Sequence, residues 1–313
     1  MRPPRKRSTA ARRRVPAHRN ATRSSTRSLL MVLIVLAAFA VFFAAGGDRV
    51  FQRNMAFLPE YGEIIVHFID VGQGDSTLIH TVGHAVLIDA GEPRYGRQVV
   101  QYLRSLGITH LDYVVATHPH SDHIGGLIQV LADKEIGTLL MPDAVNNTNA
   151  FENLLAAIEN HNIHVRIPEI GDRVQAGIID MVVLAPVAGH WPHTSNLNNA
   201  SIVLHMTHGN NSFLFTGDAE RESEMAMIAS GNRLHSTILQ VGHHGSRTST
   251  TQEFLNAVNP VAAVISLGEG NRHGHPHREV IDRLEAAGVT ILRTDEMGTI
   301  IMSTTGDGVR LWD

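Results

Sequence analysis

Three histidines and an aspartate, His118, His120, Asp122 and His123, fall within six residues, directly after the apolar run Tyr113-Val114-Val115-Ala116. A short apolar run before a polar stretch reads as a buried strand, so all four side chains leave one strand end together. Imidazole and carboxylate are metal ligands, which makes the segment an ion-binding constellation. With 20 histidines in 313 residues some clustering arises by chance. The constellation gains weight, and restricts the fold, only if distant strands bring further ligands to the same place.

They do. His118 and His120 are two apart and point the same way on an extended segment, while Asp122 and His123 follow where the chain turns into a helix, placed for a neighbouring ion. Asp218, in Phe215-Thr216-Gly217-Asp218, and His243-His244, in Val241-Gly242-His243-His244-Gly245-Ser246, each come just after a predicted apolar strand. Asp218 has two carboxylate oxygens and suits a bridge between ions, although the helix predicted over 220–230 leaves an N-cap role open. His243, nearest its strand, is the expected later ligand, and His244 is either structural or a support for the ligands. Paired cations about 3.5–4 Å apart lower the pKa of a bound water and neutralise a phosphoryl oxygen. In Arg272-His273-Gly274-His275-Pro276-His277, His275 is placed to contact a substrate oxygen or protonate a leaving group. Asp70, Asp75 and Asp89 sit at turns, which they can simply hold; Asp70 and Asp75 are also expected to support the site.

Composition removes several chemistries. There is no cysteine, which excludes disulfides, thiolate ligands and a cysteine nucleophile. The formal charge of −4 hides an asymmetry: ten of the 26 basic residues lie in residues 1–28, which have no acidic ones, leaving 16 against 30 and a balance of −14. Tight binding to extended nucleic acid needs a positive footprint. Nucleic acid is therefore a possible but unfavoured partner, and nothing points to a protein partner.

Residues 1–28 read as a disordered basic cytoplasmic tail, and 29–47 as one transmembrane helix built on a 17-residue uncharged apolar run, 29–45. The basic flank places the tail inside and everything after Asp48 outside: a single-pass cell-membrane protein in contact with the lipid bilayer. A cleaved signal peptide and a secreted domain are the alternative, disfavoured by Phe42 and Phe43 near the best cutting positions. Residues 48–62 read as a linker and 63–313 as the catalytic domain.

Strands are expected over 64–70, 76–81, 85–89, 112–117, 138–141, 163–167, 172–175, 178–185, 201–207, 212–216, 237–241 and 262–266, with two more at the end. Helices are expected over 96–106, 125–131, 149–160, 220–230, 250–257 and 277–287. Two such sets, strands interleaved with helices, fit an α/β fold of two packed sheets covered by helices.

At these residues the chain resembles the metallo-β-lactamase superfamily and, within it, the hydrolase domain of ComEC/Rec2-type competence proteins and their stand-alone relatives. The phrases that carry the resemblance are HFIDVGQGDSTLI, LIDAG, THPHSDHIGG, NNASIVL, LFTGDAE, VGHHGSRTST and GHPH, from His67 to His277. It implies a four-layer αββα sandwich with one or two divalent ions, Zn²⁺ or Mn²⁺, at the sheet edges. His118 and His120 would hold one ion, Asp122, His123 and His243 the second, and Asp218 would bridge them. The superfamily's third motif, where many members supply another histidine, corresponds here to Asn198-Asn199-Ala200-Ser201, with His190 and His193 upstream in a Pro-bounded loop. That leaves water positions on the first ion and makes manganese plausible there. The multi-pass channel of the competence proteins has no counterpart in the single apolar run.

The expected protein is an exported metal-dependent hydrolase, a phosphodiesterase or nuclease using a metal-bound hydroxide, with Asp122 orienting the nucleophile and His275 assisting the departing oxygen. One alternative is hydrolysis of a lactam, thioester or other acyl substrate. The other is a non-catalytic, metal-stabilised binding module.

Overall fold

In the computed structural model the described residues are 57–187 and 196–312, and from Phe57 onward they form one unit. Among the described residues fifteen strands make two sheets. The first contains β1 (Ile64–Phe68), β2 (Thr77–Thr81), β3 (His84–Ile88), β4 (His110–Val115), β5 (Glu135–Leu140), β6 (Val165–Arg166), β14 (Ile300–Thr304) and β15 (Val309–Trp312), in the order β15-β14-β1-β2-β3-β4-β5-β6. The second contains β7 (Arg173–Ala176), β8 (Ile179–Ala185), β9 (Val203–His208), β10 (Asn211–Phe215), β11 (Ile238–Gln240), β12 (Ala262–Ile265) and β13 (Thr290–Arg293), in the order β13-β12-β11-β10-β9-β8-β7.

Strand periodicity explains the layering. Successive strand residues face opposite ways, and here both faces are apolar, so each sheet must be covered twice. Val86 and Ile88 of β3 join Phe213 and Phe215 of β10 in the core between the sheets. Their neighbours Ala85 and Leu87 face helices α1 (Gly96–Ser105), α3 (Leu127–Asp133) and α4 (Asn149–Asn160). Leu214 likewise faces α5 (Arg221–Ala229), α6 (Gln252–Val258) and α7 (Arg278–Ala286). The result is the αββα sandwich. Two single turns complete the helices, α2 (Ser121–Ile124) and α8 (Thr294–Met297).

The helix expected over 125–131 is α3, Leu127–Asp133, and the separate turn α2 precedes it with the tightly packed Gly125-Gly126 between them. A Cβ on Gly125 would lie 2.2 Å from the Pro93 ring, and one on Gly126 2.0 Å from the Ala90 carbonyl oxygen. The chain ends on three strands rather than two, because 290–293 extends the second sheet before the last hairpin returns to the first.

The reading of a transmembrane helix at residues 29–47, with its bilayer contact and single-pass cell-membrane location, is corrected. Among the described residues no helix is long and apolar enough to cross a membrane. The longest, α4, has 12 residues, where a span takes about 20, and it exposes one face. Residues 29–47 lie outside the described residues, as do the 1–28 tail and most of the 48–62 linker.

Candidate metal centre

β1, β3 and β4 run in one direction in the first sheet, and β10, β11 and β12 in one direction in the second. Their C-terminal ends open on one edge of the sandwich, the usual place for a site in such sheets. The β1–β2 loop delivers Asp75, the end of β3 Asp89, the end of β4 His118 to His123, the end of β10 Asp218, and the end of β11 His243 and His244.

Asp218, buried to 1% exposure, stands at the middle. Its Oδ2 is 3.5 Å from His118 Nε2 and 3.8 Å from His243 Nε2. Its Oδ1 is 3.2 Å from His123 Nε2 and 3.5 Å from His244 Nε2. Two groups of donor atoms result, each within 4.8 Å of one another: His118, His120 and Asp218 in one, and Asp75, His123, Asp218 and His244 in the other. Asp122 joins the second, its Oδ2 3.4 Å from His244 Nε2. His244 thus occupies the place beside Asp122 and His123 that the sequence reading gave to His243. His190 and His193 lie outside the described residues.

The far side of each imidazole is tied down. His123 donates through Nδ1 to Asp89 Oδ2 at 2.8 Å, His244 to the Ser266 carbonyl at 2.9 Å and His243 to Glu220 Oε1 at 3.0 Å. His118 Nδ1 lies 3.1 Å from Thr117 Oγ1 and 3.3 Å from Ser201 Oγ. The Nε2 atoms of His118, His123, His243 and His244 therefore face the Asp218 carboxylate, the arrangement that ligand histidines take around a metal, while His120 brings its Nδ1 within 3.0 Å of His118 Nε2. Asp89 also accepts from the Thr117 amide at 2.9 Å, which fixes the strand end. Asp89, Glu220 and His244 were underread in the sequence, and only LIDAG hinted at the first.

The donor set suits a divalent cation. Asp218 Oδ1 is buried, and although His123 stands near, no well-directed hydrogen bond reaches it, a costly state for a carboxylate with no cation beside it. Burial acts to raise the Asp218 pKa, but His123, His244 and His118 outweigh it and hold the carboxyl well below its ordinary range. Burial acts to lower His123 and His244, and the carboxylates beside them, Asp218 foremost, push both well above the usual imidazole value. His118 is lowered by burial. His123 and His244, which hold their protons tightly, give them up when a cation binds.

A cavity of about 940 Å³ opens onto the cluster, lined by His120, Asp122, Asp218 and His243, and also by Arg272 and by Arg94, which pairs with Glu92 at 2.9 Å. His273 lines it too, while the His275 ring sits behind, 5.5 Å from that of His273 and 5.4 Å from that of His243. Burial and the neighbouring imidazoles pull His275 down to about 4.

Residues 69–269 match the family model described as the metallo-beta-lactamase superfamily. The chain is 34% identical over 254 residues to ComE operon protein 3 of Bacillus subtilis, covering 75% of this chain and 32% of that protein. It is 31% identical over 302 residues to competence protein ComA of Neisseria gonorrhoeae, covering 90% and 39%. It thus spans about a third of the length of the curated relatives it matches. Among solved structures, the metallo-beta-lactamase fold protein YhfI from Bacillus subtilis superposes with a TM-score of 0.52 at 12% identity, over 77% of this chain and all of that one. Igni18, a metallo hydrolase from Ignicoccus hospitalis, does so at 0.51 and 16%, over 76% and 98%. Matched over well more than half its length and carrying two clusters of histidine and aspartate donors, the chain belongs to the metallo-beta-lactamase superfamily, as a metal-dependent hydrolase similar to ComEC/Rec2-type competence proteins.

Proposed function

We propose that this hydrolase cleaves a phosphodiester, in a nucleic acid or a smaller molecule. The observation that carries the reading is the Asp218 carboxylate standing between two groups of imidazoles at the floor of an open polar cavity. In this reading His118, His120 and Asp218 hold one cation, and Asp122, His123, His244 and Asp218 a second, with Asp75 close behind. Bound there, Zn²⁺ or Mn²⁺ supplies a water of lowered pKa and charge to screen phosphoryl oxygens. Asp122, whose side chain is 27% exposed, reaches the cavity and orients the attacking water. Arg94 and Arg272, which line the cavity, meet the remaining phosphate charge. His275, one layer back, is a positioning residue for His243 and for the substrate.

Hydrolysis of a lactam, thioester or other acyl substrate is the second reading. The name of the matched family, the metallo-beta-lactamase superfamily, favours it, and the same cluster serves attack at carbonyl carbon. The cavity open on the cluster disfavours the third, a non-catalytic module with a closed metal site.

The test is a panel of DNA, RNA, a cyclic dinucleotide, bis-p-nitrophenyl phosphate, a chromogenic lactam and a thioester, each with Zn²⁺ or Mn²⁺. Wild type is run beside Asp218→Ala and His120→Ala. Turnover of at least one phosphodiester is expected, nearly abolished in both variants. Turnover confined to the acyl compounds would transfer the assignment to the second reading. Phosphodiester turnover that both substitutions leave intact would remove the cluster from the reaction.

A further inference from the structure

The Asn198-Asn199 stretch brings an amide, that of Asn198, and not an imidazole to the cluster, beside His243. Asn198 Nδ2 donates to Glu220 Oε1 at 2.9 Å and lies 3.3 Å from His243 Nδ1. It props His243 and does not replace a ligand itself.

His243 and His244 are adjacent in sequence, yet both adopt left-handed backbone conformations, with φ of 48° and 54°. Non-glycine residues rarely hold this conformation, and it persists where the surroundings enforce it. The consequence is geometric. The two rings diverge, with centroids 6.0 Å apart and planes at 69°, and straddle the Asp218 carboxylate. His244 Nε2 faces Oδ1, the oxygen that His123 also faces, and His243 Nε2 faces Oδ2, the oxygen that His118 also faces.

We infer that His243 is the third imidazole of the first cation, with His118 and His120, and that the dipeptide His243-His244 serves both cations, one ring to each. Glu220 is the positioning residue for this ligand. It takes the Nδ1 proton of His243 and is itself held by Asn198, Asn196 at 2.6 Å and Thr248 at 3.0 Å, which leaves Nε2 free to bind. Carboxylates that orient ligand histidines in this way typically contribute 10–100-fold to metal affinity. The inference rests on the metal-dependent reading and is independent of the substrate.

The experiment uses the full chain, stripped of metal and titrated with Co²⁺, reading stoichiometry, affinity and the visible ligand-field spectrum without any substrate. Wild type is expected to bind two ions. His243→Ala should keep one at wild-type affinity and weaken the other by more than the roughly 10–100-fold typical of an orienting carboxylate, with the same spectral loss as His118→Ala. The double variant should still bind the second ion at wild-type affinity, because both substitutions strike the same ion. Glu220→Gln, which folds around an isosteric side chain, should weaken that ion alone and by less. Two ions at wild-type affinity in His243→Ala would overturn the inference and make His243 a substrate contact. So would a double variant that binds neither ion, which would place His243 with His123 and His244. A phosphodiester panel that fails while the cobalt titration behaves as stated sinks the proposed substrate and leaves this assignment standing.

Discussion

Gly74 has a φ of +136°, and a Cβ built on it would lie 2.2 Å from the carbonyl oxygen of Asp122. That same oxygen accepts the Asp75 amide at 3.2 Å. The β1–β2 loop and the turn carrying Asp122 are therefore locked backbone to backbone, and only glycine permits it. Gly74→Ala is expected to push the turn away, costing about 1–3 kcal/mol in strain and weakening the ion beside Asp122 and His123. Gly83→Ala is the control: its φ is also positive, at +77°, but no atom lies within 4 Å of the added Cβ. Thermal melts in chelator and a Co²⁺ titration of both variants decide the matter. Equal losses in the two, with metal affinity intact, would show that the close approach to Asp122 does not matter. The sequence signalled this loop through its two glycines but not its partner, because the contact joins segments almost fifty residues apart.

At the level of elements, β1, β2 and α1 enclose a second histidine cluster, remote from the metal ligands in sequence. His67 and His80 face the helices from neighbouring strands, their Nε2 atoms 2.8 Å apart, and His67 Nδ1 meets the Tyr102 hydroxyl at 2.7 Å. Burial pulls His80 down to about 4. Burial first, and then His80, hold His67 well below the ordinary imidazole value. Both rings are neutral in the folded protein, whereas the unfolded chain takes up protons near pH 6.5. Stability from this pair is thus complete above about pH 6.5 and is lost as pH falls toward 4. For His80 the loss between pH 7.5 and 5 is about 2 kcal/mol. Urea midpoints in chelator at these two pH values should fall less in His80→Gln, which keeps a partner for His67 without titrating, than in wild type. An equal fall in both would discard the account. Strand periodicity marked β1 and β2 as elements, but hydropathy could not tell that histidines on their outer face would be sealed by a helix.

Across the whole molecule, the donor atoms come from strand ends in both sheets, so a bound cation fastens the two halves of the sandwich together at one edge. A ligand that binds only the folded state stabilises it by mass action, by about 2.7 kcal/mol for each ion at a hundred times its dissociation constant. For a unit of this size that corresponds to a rise of about 5–10 °C in Tm. Removing metal with chelator should lower Tm by this order, and adding Zn²⁺ or Mn²⁺ should restore it. An identical Tm with and without metal would mean that the sheets do not depend on the ions. The sequence by itself determined the two sets of strands and helices, the strand ends bearing ligands, and the family, because apolar periodicity and motif spacing are properties of neighbouring residues. Which of His243 and His244 meets Asp122 and His123 was decided by two left-handed residues, and the roles of Asp89 and Glu220 by which loops the packed sheets bring within 3 Å. Those are contacts between distant segments, and they exist only once both faces of each sheet are buried and the loop ends have nowhere else to go.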